Sequence, residues 1–234
     1  RRFKPRIHTF GRTPQGHHER GRCQKQHEMT PTDIYDKICS FANRPTTIIC
    51  DLHSACTPKK DNAYLCPHPG SQIQVIDFDE IKVLADKARG RASRKSVDAL
   101  TLAPSHSYLC FIELKSWELL LANNGSERKI RKQSDKYASD LPIKLSDSMQ
   151  ICAEITKESD TFKGCRILYI LLTDISVNDS GLLALNSDLA ALAGTSSDLR
   201  QLCNSLSQGV MDGITNVETR YWECRSFDDE LAAL

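Results

Sequence analysis

Two neighbouring stretches constrain the fold more than any other part of the chain. They are Ser96-Val97-Asp98-Ala99-Leu100-Thr101-Leu102 and Ser107-Tyr108-Leu109-Cys110-Phe111-Ile112-Glu113-Leu114-Lys115-Ser116. Both are apolar, and Ala103-Pro104-Ser105-His106 between them is turn-forming, so the pair predicts a β-hairpin. Side chains alternate along a strand, which puts Glu113 and Lys115 on one face and Ile112 and Leu114 on the other. The hairpin brings Asp98 alongside the first two. Two acids and an amine on one face of an otherwise apolar hairpin are costly to bury, so they need a reason to be there.

The surrounding pattern alternates helices and strands. Thr30 reads as an N-cap, and Ile34, Ile38, Phe41 and Ala42 recur at helical spacing, predicting a helix over about 32–43. Thr46 to Cys50 reads as a buried strand, and residues 51–76 as an irregular segment with Pro58, Pro67, Pro69 and Gly70. Ile81, Leu84, Ala85 and Ala88 predict a second helix over 77–88. Glu80 in its first turn complements the helix dipole. Residues 127–137 are strongly charged and read as a solvated helix or a loop. A further helix is expected over 141–157, with Pro142 in its first turn. Lys144 and Ser148 lie off its apolar stripe, where they can face the hairpin. Cys165 to Leu172 is the most apolar strand, as expected for a central strand covered on both sides. Residues 181–193 and 198–206 suggest further helical structure, and Val217 to Ser226 a last strand.

Composition limits the function classes. The longest apolar run, Ile167 to Leu172, is far short of the roughly 20 residues a membrane-spanning helix needs. No secretory leader is visible, so the expectation is a soluble, cytoplasmic protein with reduced thiols among its ten cysteines. The net charge of +1 hides an asymmetry: residues 1–28 hold eight Lys/Arg against two Glu, leaving 23 basic and 28 acidic residues in the remainder. Residues 1–28 are expected to be a basic, disordered extension. Arg89, Arg91, Arg94 and Lys95 form a basic connector before the Asp98 strand. Such a run is either a solvated loop or, together with Lys144, a set of phosphate contacts for nucleic acid.

The irregular segment carries Cys50, His53, Cys56, Cys66 and His68 within 19 residues. Thiolate and imidazole suit tetrahedral Zn²⁺, but the spacing is not a paired Cys-x2-Cys pattern. A structural zinc and a set of scattered thiols with loop histidines are the two alternatives here, the second being favoured.

The order helix, strand, Asp-bearing strand, Glu-x-Lys strand, helix, apolar strand resembles the PD-(D/E)xK, or restriction-endonuclease-like, nuclease superfamily. The resemblance covers about residues 77–173 and implies an α/β fold, a mixed central β-sheet flanked by helices. It implies one nuclease-like domain over 29–234, with the Cys/His segment as an insertion. It assigns Asp98 and Glu113 to one or two Mg²⁺ (or Mn²⁺) ions, the Leu114 carbonyl as a further ligand, and Lys115 to the attacking water or the developing charge. Glu80 is a candidate additional carboxylate. The implied activity is endonucleolytic hydrolysis, of DNA rather than RNA, as in restriction and antiviral defence. Nucleases of this type often pair to cut both strands, so a homodimer or a partner protein fits the resemblance. A non-catalytic binding module of the same fold and a zinc-stabilised interaction protein are the competing expectations.

The physical logic of that assignment stands apart from the resemblance. Mg²⁺ is a hard ion that prefers oxygen and keeps several waters, so two carboxylates plus a substrate phosphate form a suitable partial shell. The sequence leaves open which strand precedes the Asp98 strand: Thr46 to Cys50, or a short one within Arg89 to Lys95.

Overall fold

The computed structural model describes residues 28–42, 48–55, 71, 73–90, 94–115, 127–158, 160–174 and 217–234, with backbone alone for 127–139. Helix α1 spans Pro31–Phe41; strand β1, Ile49–Asp51; the single turn α2, Leu52–Ala55; β2, Gln74–Asp77; and α3, Phe78–Arg89. Then follow β3 (Ala99–Leu102), β4 (Leu109–Lys115), α4 (Glu127–Thr156), β5 (Ile167–Thr173), β6 (Val217–Glu223) and α5 (Phe227–Ala232).

The strands form a six-stranded mixed sheet in sequential order, β1-β2-β3-β4-β5-β6. Among the first four, each runs antiparallel to its neighbour; β4, β5 and β6 run parallel. A parallel step needs a long crossover, and α4 supplies it between β4 and β5. Helices cover both faces. On one, Ile34 and Ile38 of α1, Phe78 and Ile81 of α3, and Leu145, Met149 and Cys152 of α4 pack on Leu100, Leu109, Phe111, Ile167, Tyr169 and Leu171. On the other, Leu52 of α2 and Phe227 and Leu231 of α5 pack on Cys110, Ile112, Leu114, Leu168, Ile170 and Leu172. All seven residues of β5 are buried, as its unbroken apolar run requires.

Local chemistry explains the helix starts. Thr30 accepts from the Asp33 N–H while the Asp33 carboxylate accepts from the Thr30 N–H, a reciprocal cap on α1. Asp77 caps α3 by accepting from the Glu80 N–H, and Gly90 closes it at φ +62°, a left-handed position where glycine is unstrained.

Three expectations are corrected. The strand beside β3 is neither Thr46 to Cys50 nor a piece of Arg89 to Lys95: it is β2, Gln74–Asp77, with Ile76 opposite Leu100. Residues 51–76 are therefore not wholly irregular, since they hold part of β1, α2 and most of β2. Pro142 lies inside α4 rather than in its first turn, because the charged segment from Glu127 is helical and continuous with it. The extension expected at 1–28 lies outside the described residues apart from Glu28, and the segments expected at 181–193 and 198–206 lie wholly outside them. Among the described residues, no helix is long and apolar enough to cross a membrane.

Candidate active site

Where β3 begins and β4 ends, the face that carries α1, α3 and α4 changes from apolar to charged. Leu109 and Phe111 belong to its core. Two residues on, the same alternation delivers Glu113, and two further Lys115. Glu113 is completely buried and is paired with the Lys115 ammonium. Asp98 stands one residue before β3. Its N–H donates to the Ile112 carbonyl at 3.0 Å, although Ile112 is already the register partner of Ala99. Asp98 and Ala99 thus both address one residue of β4, a bulge-like step of the kind that re-aims a side chain. The result is that Asp98 Oδ2 accepts from the Leu114 N–H at 2.7 Å, while Oδ1 turns to the charged cluster.

Helix α4 supplies the cation between the two acids. Lys144 Nζ donates to both Glu113 oxygens, at 2.6 and 2.9 Å, and lies 3.6 Å from Asp98 Oδ1. One turn along, Ser148 accepts from the Val97 N–H at 3.0 Å. The i, i+4 pair on α4 therefore positions both the ammonium and the backbone that leads into Asp98. The Lys115 ammonium also donates to the Leu114 carbonyl at 3.0 Å. Thr173, the register partner of Lys115, lies with its hydroxyl 3.0 Å from the Tyr221 hydroxyl.

Electrostatics follow from this layout. Burial pushes the Glu113 carboxyl up, the Asp98 charge adds to that, and the Lys115 and Lys144 ammoniums oppose it. A third acid joins through α3: Asp79 Oδ1 accepts from Lys82 at 2.8 Å and from the Ser96 hydroxyl at 2.5 Å. Burial raises Asp79, but the hydrogen bonds from Lys82 and Ser96 and the charges of Lys82 and Lys144 outweigh it and hold the carboxyl below its ordinary value.

The expected residues fall into four groups. Asp98, Glu113, Lys115, the Leu114 carbonyl and Lys144 come together. Glu80 stays in the first turn of α3, its N–H on Asp77; its neighbour Asp79 bonds Lys82 and Ser96 and feels the Lys144 charge. The basic connector is engaged within the chain: Arg94 with Asp86 and Glu154, Lys95 with Asp140, and Arg89 with Glu154. Arg91 lies outside the described residues. Of the five Cys/His residues, Cys50 sits in β1 opposite Val75 and His53 in α2; Cys56, Cys66 and His68 are outside the described residues.

Among the described residues, no three His, Cys, Asp or Glu side chains form a metal-binding group. The hard-oxygen donors that do meet are two carboxylates and the Leu114 carbonyl, a set whose chemistry fits Mg²⁺ or Mn²⁺ completed by water and substrate oxygens. The Lys144 ammonium bridges Asp98 and Glu113. Comparison with protein-family models, with curated proteins and with solved structures finds no match.

Proposed function

We propose that this chain is a divalent-metal-dependent nuclease of the PD-(D/E)xK type, with a restriction-endonuclease-like core and DNA as the favoured substrate. The observation that carries the reading is that Asp98, just before β3, and Glu113, on β4, share the Lys144 ammonium. The order of α1, β2, β3 preceded by Asp98, the Glu-x-Lys strand, α4 and the apolar β5 supports it, with β1 and α2 inserted before β2 and α3 between β2 and β3.

In this reading Asp98, Glu113 and the Leu114 carbonyl hold Mg²⁺ or Mn²⁺. When bound, such an ion polarises a phosphate oxygen and favours hydroxide over water. Lys115, anchored on Glu113 and the Leu114 carbonyl, places a positive charge at the C-terminal end of β4, where it stabilises charge developing on the phosphate. The sheet below excludes water from one side of Glu113 and fixes its direction.

The test is cleavage of linear, circular and single-stranded DNA, and of RNA, with Mg²⁺, Mn²⁺ or chelator. The wild type should cut only with metal. Asp98→Ala, Glu113→Gln and Lys115→Ala should each abolish cutting while retaining native circular dichroism. Undiminished activity in all three variants, or none in the wild type with either ion, rejects the reading.

A second reading has its own observation. Both Glu113 oxygens are taken by lysines, and Arg89, Arg94 and Lys95 are paired within the chain. A binding module whose charged cluster is purely structural has these features, and it predicts that Mg²⁺ titration produces no stoichiometric binding.

A further inference from the structure

The geometry points to Lys144 as a built-in surrogate for the divalent ion: its ammonium holds the position between Asp98 and Glu113 that the ion must take, so metal binding and Lys144 displacement are one event. The inference rests on the metal-dependent reading above and adds a residue on α4 whose role is to move.

The argument starts from charge. Glu113 has no solvent contact at all, and a carboxylate buried beside a second one needs neutralisation. Lys115 supplies one counter-charge, on Glu113 and the Leu114 carbonyl. Lys144 reaches both carboxylates, 2.6 Å from one and 3.6 Å from the other. An ion held by Asp98 and Glu113 at metal–oxygen distances of about 2.1 Å cannot share that space with an ammonium. Lys144 therefore leaves when the ion binds.

It has somewhere to go. Lys144 is 21% accessible, where Glu113 is fully buried, and its charge sits on a flexible four-carbon stem. A displaced ammonium swings outward by rotation of its own side chain without unfolding α4, and it then points to where a phosphate would approach. The direct cost of displacement weakens the ion's apparent affinity; the gain is a site that stays neutral and ordered before the ion arrives. Like-charged Asp98 and Glu113 would otherwise repel across the hairpin.

The experiment uses Mn²⁺ as the probe and two readouts other than cleavage. First, lysine acylation followed by mass spectrometry on wild-type protein should show Lys144 labelling rise several-fold on addition of Mn²⁺, with Lys82 and Lys95 unchanged. Second, calorimetry should show Lys144→Met binding Mn²⁺ at least about tenfold more tightly than wild type. Lys95→Met, which removes the same charge from a pair with Asp140 outside the cluster, should change affinity less than twofold. Unchanged Lys144 labelling together with equal Mn²⁺ affinity in wild type and Lys144→Met overturns the inference and leaves the metal-dependent reading standing. Tighter binding by Lys144→Met with enhanced labelling, but no nucleolysis by the wild type, supports the inference and removes the nuclease. Absence of Mn²⁺ binding by both proteins overturns both.

Discussion

Lys144 closes on Glu113 from a different element and grips both of its oxygens, at 2.6 and 2.9 Å. The pair joins the middle of α4 to the end of β4, so the crossover helix and the sheet are tied together at the charged cluster as well as through the apolar core. Ion pairs of this kind contribute little by attraction alone, because desolvation offsets it. Their effect appears when one partner is removed and the other is left without its counter-charge.

That asymmetry can be measured as a coupling. Glu113→Ala leaves the Lys115 and Lys144 ammoniums facing each other, and should cost about 3 kcal/mol, the low end for a broken buried pair because both lysines retain some solvent. Lys144→Met should cost less, since Lys115 still neutralises Glu113. In a double-mutant cycle by urea unfolding, the two changes should couple by at least about 1 kcal/mol. Additivity within about 0.5 kcal/mol would show that the contact carries no structural weight.

Ser148 tests how the backbone aims Asp98. Its side chain is fully buried and accepts from the Val97 N–H at 3.0 Å. Ser148→Ala leaves that buried donor unpaired, at a cost of about 1–3 kcal/mol, and loosens the residue directly before Asp98. The expected outcome is a lowered urea midpoint with unchanged m-value, together with weaker Mn²⁺ binding. A variant that loses stability but binds Mn²⁺ like wild type would confine Ser148 to packing.

Much of this arrangement is legible in the sequence, and the exceptions share a cause. The period-2 pattern of β4 places Glu113 and Lys115 together, and the helical phase of Leu141, Leu145 and Met149 turns Lys144 and Ser148 toward the hairpin, because both signals are local. The partner of β3 is not local. Gln74–Asp77 is only four residues long and runs straight into α3, so its apolar residues merge with the helix pattern and only pairing with β3 reveals a strand. Pro142 misleads for a related reason. Within a helix it removes one hydrogen bond and costs about 3 kcal/mol, yet Leu141, Leu145 and Met149 bury enough apolar surface to hold the helix through it.

The Asp86–Arg94–Glu154 network carries a pH signature. Asp86 accepts from the Arg94 backbone N–H at 3.1 Å and from Arg94 Nε at 2.8 Å, and Arg94 continues to Glu154 at 2.9 Å. Burial raises the Asp86 carboxyl, but the hydrogen bonds and charge of Arg94 outweigh it and hold it below the ordinary value. A depressed carboxylate contributes stability that is complete above the unfolded-state value of about 3.9 and is lost as pH falls through the lower folded-state value. Asp86→Asn should therefore cost about 2 kcal/mol near pH 7, and its deficit should shrink steadily below about pH 4. Glu113 is raised in both proteins and cancels in the comparison. A deficit independent of pH would mean that geometry, not charge, holds the network.

Thiol chemistry provides the last prediction. Cys110 and Cys165 are buried, and desolvation pushes each up to about 12; Cys152, buried in α4, is also pushed up by desolvation, with Cys165 adding to the effect. Cys50 is partly exposed, but burial, and after it the Asp77 and Asp51 charges, push it up to about 11. The thiolate is the reactive species, and at pH 8 each of these groups is almost entirely thiol. Native protein treated with iodoacetamide at pH 8 should leave Cys110, Cys152 and Cys165 unmodified in peptide maps, with Cys50 reacting only slowly, and all four should label once urea unfolds the chain. Because Cys110 lies on β4 and Cys165 leads into β5, the rate at which they become reactive in the native state reports opening of the central sheet. Addition of Mn²⁺ should slow that opening if the ion ties β3 to β4 through Asp98 and Glu113. Rapid labelling of Cys110 in folded protein, at a rate unaffected by Mn²⁺, would show that the hairpin opens independently of the charged cluster.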